Sequence, residues 1–217
     1  MKLNINKILL LLKKKYPAPR IALKSANPFE LLVATILSAQ CTDVRVNVVT
    51  KSLFKKYKHL KDYARADIKV FQEIIRSAGF YRHKAKNIIA SANKILKDFK
   101  GRLPETIEEL QTLPGVARKT ANVVLYNAFG KNEGIAVDTH VLRVSQRLGL
   151  THYSDPVKIE KDLMGMVKDR KEWGLLSLRF IWHGRQTCTA RSPRCPECIL
   201  KSLCPSQKIF FPPGSIT

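Results

Sequence analysis

The chain has 217 residues, 45% of them hydrophobic, enough to bury a core in one large domain or two small ones, which excludes a disordered or fibrous polypeptide. Its 39 Lys and Arg face only 17 Asp and Glu, a formal charge of +22. The excess recurs at Lys13–Lys15, Lys55–Lys58, Arg82–Lys86 and Lys168–Lys171, as expected of a polyanion-binding surface; a lysine-rich background composition is the competing explanation.

The opening stretch, MKLNINKILLLLKKKYPAP, has an unbroken apolar core of only Ile8–Leu12 and no small-residue cleavage site, so it does not read as a signal peptide. Ile5, Ile8, Leu9, Leu12 and Tyr16 fall instead at helical spacing. No window approaches the length of a membrane span. An intracellular, cytoplasmic protein is expected, where clustered cysteines favour metal binding over disulfides.

Helix signals then follow one another. Asn27-Pro28 caps and opens a run through Ala39, and Thr42 and Asp43 introduce another through about Tyr57. Helices are predicted over 67–77, 82–99, 104–112 and 117–129, several of them stopped by a glycine. Further helices are predicted over 138–147, from Asp155-Pro156 onward, and over 171–186. No segment sustains a two-residue alternation, so the predicted class is all-α. The loop from Gly130 to Ile135 is the best candidate for a domain boundary.

Residues 113–125, LPGVARKTANVVL, set a tight reversal against an apolar helix. Such a turn leaves backbone N–H groups at a helix N-terminus free to grip a phosphate oxygen; packing of a plain helical hairpin is the alternative. Ala117, Ala121, Val124, Leu125 and Ala128 make a core-facing stripe, and Lys119 lies opposite it beside Val123 and Tyr126, on a face expected to be partly covered or to border a cleft. A lysine nucleophile must act as the free amine, and the positive end of a helix is where the charged form is least favoured. Nucleophile, phosphate anchor and surface lysine all stay open as roles for Lys119. Downstream, IAVDTHVLR puts Asp138 at a helix start. There it can cap the helix and also accept a proton or stabilise developing positive charge.

Four of the five cysteines are arranged as Cys188-x6-Cys195-x2-Cys198-x5-Cys204. Four thiolates so close together can converge on one centre, and the wide outer spacings suit a cubic iron–sulfur cluster better than zinc, whose cysteines usually come as two short pairs. The loop between the first two carries Arg191 and Arg194, placed to meet phosphates if the loop is fixed at both ends. Cys41 reads as a small core residue, and the five histidines receive no metal role.

LPGVARKTANVVL, followed by VDTH, then by the four-cysteine pattern, and preceded by ILSAQCTDVRVN and GFYRHKAKNI, resembles the endonuclease III family of helix-hairpin-helix DNA glycosylases over nearly the whole chain. The resemblance implies a six-helix domain over residues 22–133, with the hairpin at about 105–129, and a discontinuous domain of residues 1–21 and 134–217 holding a [4Fe–4S] cluster on Cys188, Cys195, Cys198 and Cys204. It implies a DNA-binding cleft between the domains. It further implies a monomeric enzyme of base excision repair that removes oxidised or ring-damaged pyrimidines from duplex DNA and cuts the abasic site by β-elimination through a lysine Schiff base. By position Lys119 matches the nucleophile and Asp138 the catalytic carboxylate. Gly115, Val116 and Ala117 match the phosphate-binding turn, Gln40 the residue that fills the gap left by the flipped nucleotide, and Phe80 the wedge. The sequence departs from the family pattern at Phe80, where many relatives carry leucine, and at Ala117, where a second glycine is usual.

Overall fold

The computed structural model describes residues 4–210, and among them all regular structure is helical, with no strand. The all-α expectation holds. Side chains set the helix starts: Asn4, Asn27, Thr42, Asp67, Thr106, Asp138 and Asp155 are N-caps, each accepting a backbone amide two or three residues on. Pro28 and Pro156 occupy first-turn positions, where a missing N–H costs nothing.

The chain divides into two compact units, Ile21–Glu133 and the segments on either side of it. Residues 1–3 and 211–217 of the expected discontinuous domain lie outside the described residues. The inner unit runs α2 (Pro28–Leu37), α3 (Asp43–Lys56), α4 (Leu60–Ala64), α5 (Ile68–Ile75), α6 (Tyr81–Asp98), α7 (Ile107–Gln111) and α8 (Arg118–Phe129). Every residue of α2 from Leu31 to Leu37 is buried; all but Thr35 are apolar, Thr35 Oγ1 donates to the Leu31 carbonyl at 2.7 Å, and the helix packs on α8. The long α6 buries Ala85, Ile88, Ala92 and Ile95 and lies against α4 and α5.

The outer unit comprises α1 (Ile5–Lys15), α9 (Thr139–Arg147), α10 (Pro156–Met166), α11 (Trp173–Gln186) and α12 (Gln207–Phe210). Ile8 and Leu12 of α1 join Val141, Val144, Leu163, Leu176 and Phe180 in its core. Helices α9 and α11 approach closely at Gly184, where a Cβ would lie 3.0 Å from His140 Cβ and 3.2 Å from Arg143 Nη2. Arg179 is buried but paired: Nη1 meets Glu172 Oε2 at 2.5 Å and Nε donates to the Tyr16 carbonyl at 3.4 Å.

Some boundaries differ from those expected. Helix α7 opens at Ile107, three residues after Pro104, because Thr106 forms a cap with Glu109. The stretch before Trp173 is a 3-10 turn, Arg170–Glu172. The short helices α4 and α12 are additions to the sequence reading.

Candidate active site and cysteine centre

The reversal between α7 and α8 is held from below by α6. Ser91 Oγ donates to the Pro114 carbonyl at 2.9 Å, and Gly115, with φ of 79°, sits so close to Asn87 that a Cβ there would lie 2.7 Å from Asn87 Nδ2. Leu113 and Val116 are buried, and the Val116 amide donates to the Leu113 carbonyl at 3.1 Å, closing the turn. That amide is therefore engaged within the turn. Among the described residues the Gly115 and Ala117 amides form no such bond. Ala117 has φ of −87° and ψ of 169°, extended backbone that alanine adopts freely, so no glycine is needed there.

Ala117 is the exposed N-cap of α8 and does not belong to the buried stripe, because the helix begins one residue later than expected. Ala121, Val124 and Leu125 are fully buried and Ala128 half-buried. Lys119 is exposed in the first turn, opposite that stripe, and the Val123 and Tyr126 it was expected to neighbour are half-buried. Apart from Ala117, the sides of the helix read from the sequence are the observed ones.

Asp138 caps α9 through one oxygen. Its Oδ1 accepts the amides of His140 and Val141, each at 2.8 Å, and among the described residues Oδ2 makes no hydrogen bond. The carboxylate is fixed in orientation with half of its acceptor capacity unused. Burial lowers the basicity of the neighbouring His140 ring, although the Asp138 charge works the other way.

Gln40 and Phe80 share an unusual backbone. Their φ angles are 53° and 46°, and Lys100 is the one other non-glycine residue described with positive φ. A bulky aromatic in the left-handed region is strained, of order 1 kcal/mol or more, and such strain concentrates at functional positions. Phe80 is nonetheless 63% exposed, and Gln40 is exposed in the turn after α2.

Cys188, Cys195, Cys198 and Cys204 are all half-buried and line one cavity, together with Val144, Leu148, Leu200 and Phe210. Donors point at two of the sulfurs: Arg147 Nη1 at 3.3 Å from Cys188 Sγ, and the Leu200 amide at 3.4 Å from Cys198 Sγ. Burial pushes the Cys198 thiol up to about 11 and raises Cys195 and Cys204 as well, so without a metal these groups hold their protons. Among the described residues no three side chains are grouped to ligate a single metal ion. Four thiols spread around one cavity, with N–H donors aimed at sulfur, fit the larger body of an iron–sulfur cluster.

Sequence reasoning missed the shell around these thiols. Arg143 Nε donates to the Cys188 carbonyl at 3.1 Å, Arg147 also reaches the Thr189 and Ala190 carbonyls, and buried His183 has Nε2 3.6 Å from Cys198 Sγ. All three are helical residues more than a dozen positions from the cysteine they touch, and no local pattern marks them. Arg191 and Arg194 are exposed on the loop between the first two cysteines, which Thr189 steadies by donating from Oγ1 to the Ser192 carbonyl at 2.6 Å. Cys41 is half-buried against the inner core.

A helical hairpin whose turn leaves amides unengaged, a lysine in the first turn beyond it, and thiols gathered at one cavity define the class: a helix-hairpin-helix protein with a thiolate-bound metal centre. Residues 33–169 match the HhH-GPD superfamily base excision DNA repair protein family, and residues 188–204 match the iron-sulfur binding domain of endonuclease III. The endonuclease III of Synechocystis sp. is 53% identical, over 94% of this chain and 93% of its own length; that of Bacillus subtilis is 49% identical, over 93% of each. Among solved structures, a non-covalent endonuclease III–DNA complex superposes with a TM-score of 0.90 at 45% identity, covering 94% of this chain and 95% of that one. A trapped endonuclease III–DNA covalent intermediate gives the same TM-score and identity over 94% and 96%.

The chain belongs to the endonuclease III family of the HhH-GPD superfamily. It is a DNA glycosylase and AP lyase of base excision repair, its partner is DNA, and its cofactor is a [4Fe–4S] cluster. No described helix is long and apolar enough to cross a membrane.

Proposed function

We propose that the enzyme excises oxidised or ring-damaged pyrimidines from duplex DNA with Lys119 as nucleophile and Asp138 as its proton acceptor. The observation that carries this reading is the position of Lys119, exposed in the first turn of α8 just past the unengaged amides of Gly115 and Ala117. Backbone amides that hold a phosphate fix the sugar-phosphate chain without reading sequence, and a primary amine beside them can reach a sugar carbon.

The target nucleotide leaves the stack. Oδ2 of Asp138 takes a proton from the Lys119 ammonium, and the amine lone pair attacks C1′ as the bond to the base breaks and its electron pair departs with the base. The C1′–O4′ bond then breaks to give an iminium, with O4′ taking up the proton shed by the nitrogen; a proton is lost from C2′, and the electrons expel the 3′ phosphate. Water then hydrolyses the imine and frees the lysine. Asp138 passes the proton taken from Lys119 to the departing base, and the carboxylate so restored steadies positive charge on the sugar.

In the same reading Gln40 fills the gap left in the duplex, Phe80 wedges between bases, and Gly115, Val116 and Ala117 form the phosphate-binding turn, with Val116 anchoring it by its buried side chain. Arg191 and Arg194 meet further phosphates. Cys188, Cys195, Cys198 and Cys204 hold the cluster, which supplies a covalent cross-link to the loop bearing both arginines. In a bacterium the enzyme works in the cytoplasm on the nucleoid.

Borohydride reduction during reaction with thymine glycol duplex tests the lysine role. The wild type should form a covalent protein–DNA adduct and Lys119→Ala should not; an undiminished adduct from the variant would overturn the assignment.

A further inference from the structure

Lys84 is the fourth residue of α6 and is only 5% exposed. Its Nζ donates to three backbone carbonyls: Leu37 at 2.8 Å, Ala39 at 2.6 Å and Ala78 at 2.9 Å. An ammonium has three N–H donors, so its capacity is filled. Leu37 ends α2 and Ala78 ends the 3-10 helix Arg76–Ala78, two C-termini whose partial negative charge favours a cation. One chain position beyond Ala39 stands Gln40, and two beyond Ala78 stands Phe80. Both are exposed residues with positive φ.

One buried cation therefore fastens together the two turns that present the strained side chains. The same face of α6, three and seven residues further along, carries Asn87 under Gly115 and Ser91 on the Pro114 carbonyl. The hairpin has its own supports on this helix. The Gln40 and Phe80 turns share theirs in Lys84.

We propose that Lys84 is a positioning residue for damage recognition, locking the Gln40 and Phe80 turns into one frame so that both side chains enter the duplex as a unit. The proposal rests on the reading of Gln40 and Phe80 as gap-filling and wedge residues. A guanidinium does not substitute, because its donors lie in one plane whereas these carbonyls converge on a point.

The test uses the full-length, cluster-loaded enzyme. Lys84→Met keeps the length of the side chain and removes all three donors. Affinity for duplex carrying a tetrahydrofuran abasic analogue should fall about tenfold, the scale of a lost charge-assisted bond, with affinity for undamaged duplex unchanged. Backbone hydrogen exchange should quicken in residues 38–41 and 79–82 together. In the wild-type background Gln40→Ala and Phe80→Ala should combine non-additively on abasic affinity, and in the Lys84→Met background additively. If Lys84→Met does not fold, Lys84→Gln is read in the same way.

Unchanged abasic affinity, loosening of one turn alone, or equal losses on damaged and undamaged DNA would each overturn the proposal. Wild-type abasic affinity in both Gln40→Ala and Phe80→Ala would instead overturn the recognition roles on which it stands.

Discussion

Asp138 holds the Val141 amide at 2.8 Å through Oδ1, while its Oδ2 forms no hydrogen bond among the described residues. Capping and chemistry thus fall on different oxygens of one carboxylate. Asparagine keeps an oxygen for the cap but not the negative charge. Asp138→Asn should retain stability and duplex affinity while base excision slows at least a hundredfold, the usual scale of a lost general base. Asp138→Ala should lose the cap too, lowering stability by about 1 kcal/mol in denaturant titration. If Asp138→Asn loses as much stability as Asp138→Ala, the division between the oxygens is wrong.

Gly115→Ala places a Cβ 2.7 Å from Asn87 Nδ2 on a backbone whose φ is 79°. Strain and displacement of the Asn87 side chain should together cost about 1–3 kcal/mol of stability and weaken binding to undamaged duplex. Adding Asn87→Ala should restore only the part due to the Asn87 amide, since the Cβ of residue 87 still lies 3.0 Å away and the backbone angle is untouched. Full recovery in the double variant would show that the left-handed angle carries no cost.

The thiol assignment is checked by metal content. Protein purified without oxygen should hold about four irons per chain and show the broad visible absorbance of an iron–sulfur chromophore. Alanine at Cys188, Cys195, Cys198 or Cys204 should lower the iron content, whereas Cys41→Ala should leave it unchanged. Stoichiometric zinc with no iron would overturn the cluster.

Asp62 offers a pH test of the inner unit. Its Oδ2 accepts the His59 amide at 2.8 Å and the Lys58 amide at 2.9 Å, bonds that, led by His59, hold the carboxyl below its ordinary range. A depressed folded value means that this stabilisation is complete above the unfolded carboxyl value near pH 4 and is lost as the pH falls through the folded one. Carboxyl NMR should place the Asp62 titration below that of a free aspartate, and Asp62→Asn should flatten the acid limb of the stability curve. A titration at or above the free value would contradict the capping geometry.

Local signals carried most of the fold. Asn27-Pro28, Thr42, Asp67 and Asp155 announce their helices because a cap is a bond between near neighbours, legible in a few letters. Helix α4 escaped because it has five residues, opened by His59. Periodicity put Lys119 on the correct side of α8, since that is a property of one helix. Lys84 was invisible as anything but one more basic residue: two of its partners lie 45 and 47 residues away. The positive φ of Phe80 was equally silent, because glycine is the residue that advertises such an angle and here phenylalanine occupies it.

The Arg179 bond to the Tyr16 carbonyl joins residues 163 positions apart. The inner unit is contiguous and can fold as soon as its last helix is made, but α1 must wait for α11. At typical rates of synthesis that wait is roughly 8–30 s. During it Ile8 and Leu12, fully buried in the finished protein, lack the α11 face on which their helix packs. The first of the described helices to be made is thus among the last to find its place, and for that interval its apolar face is open to aggregation and to capture by chaperones.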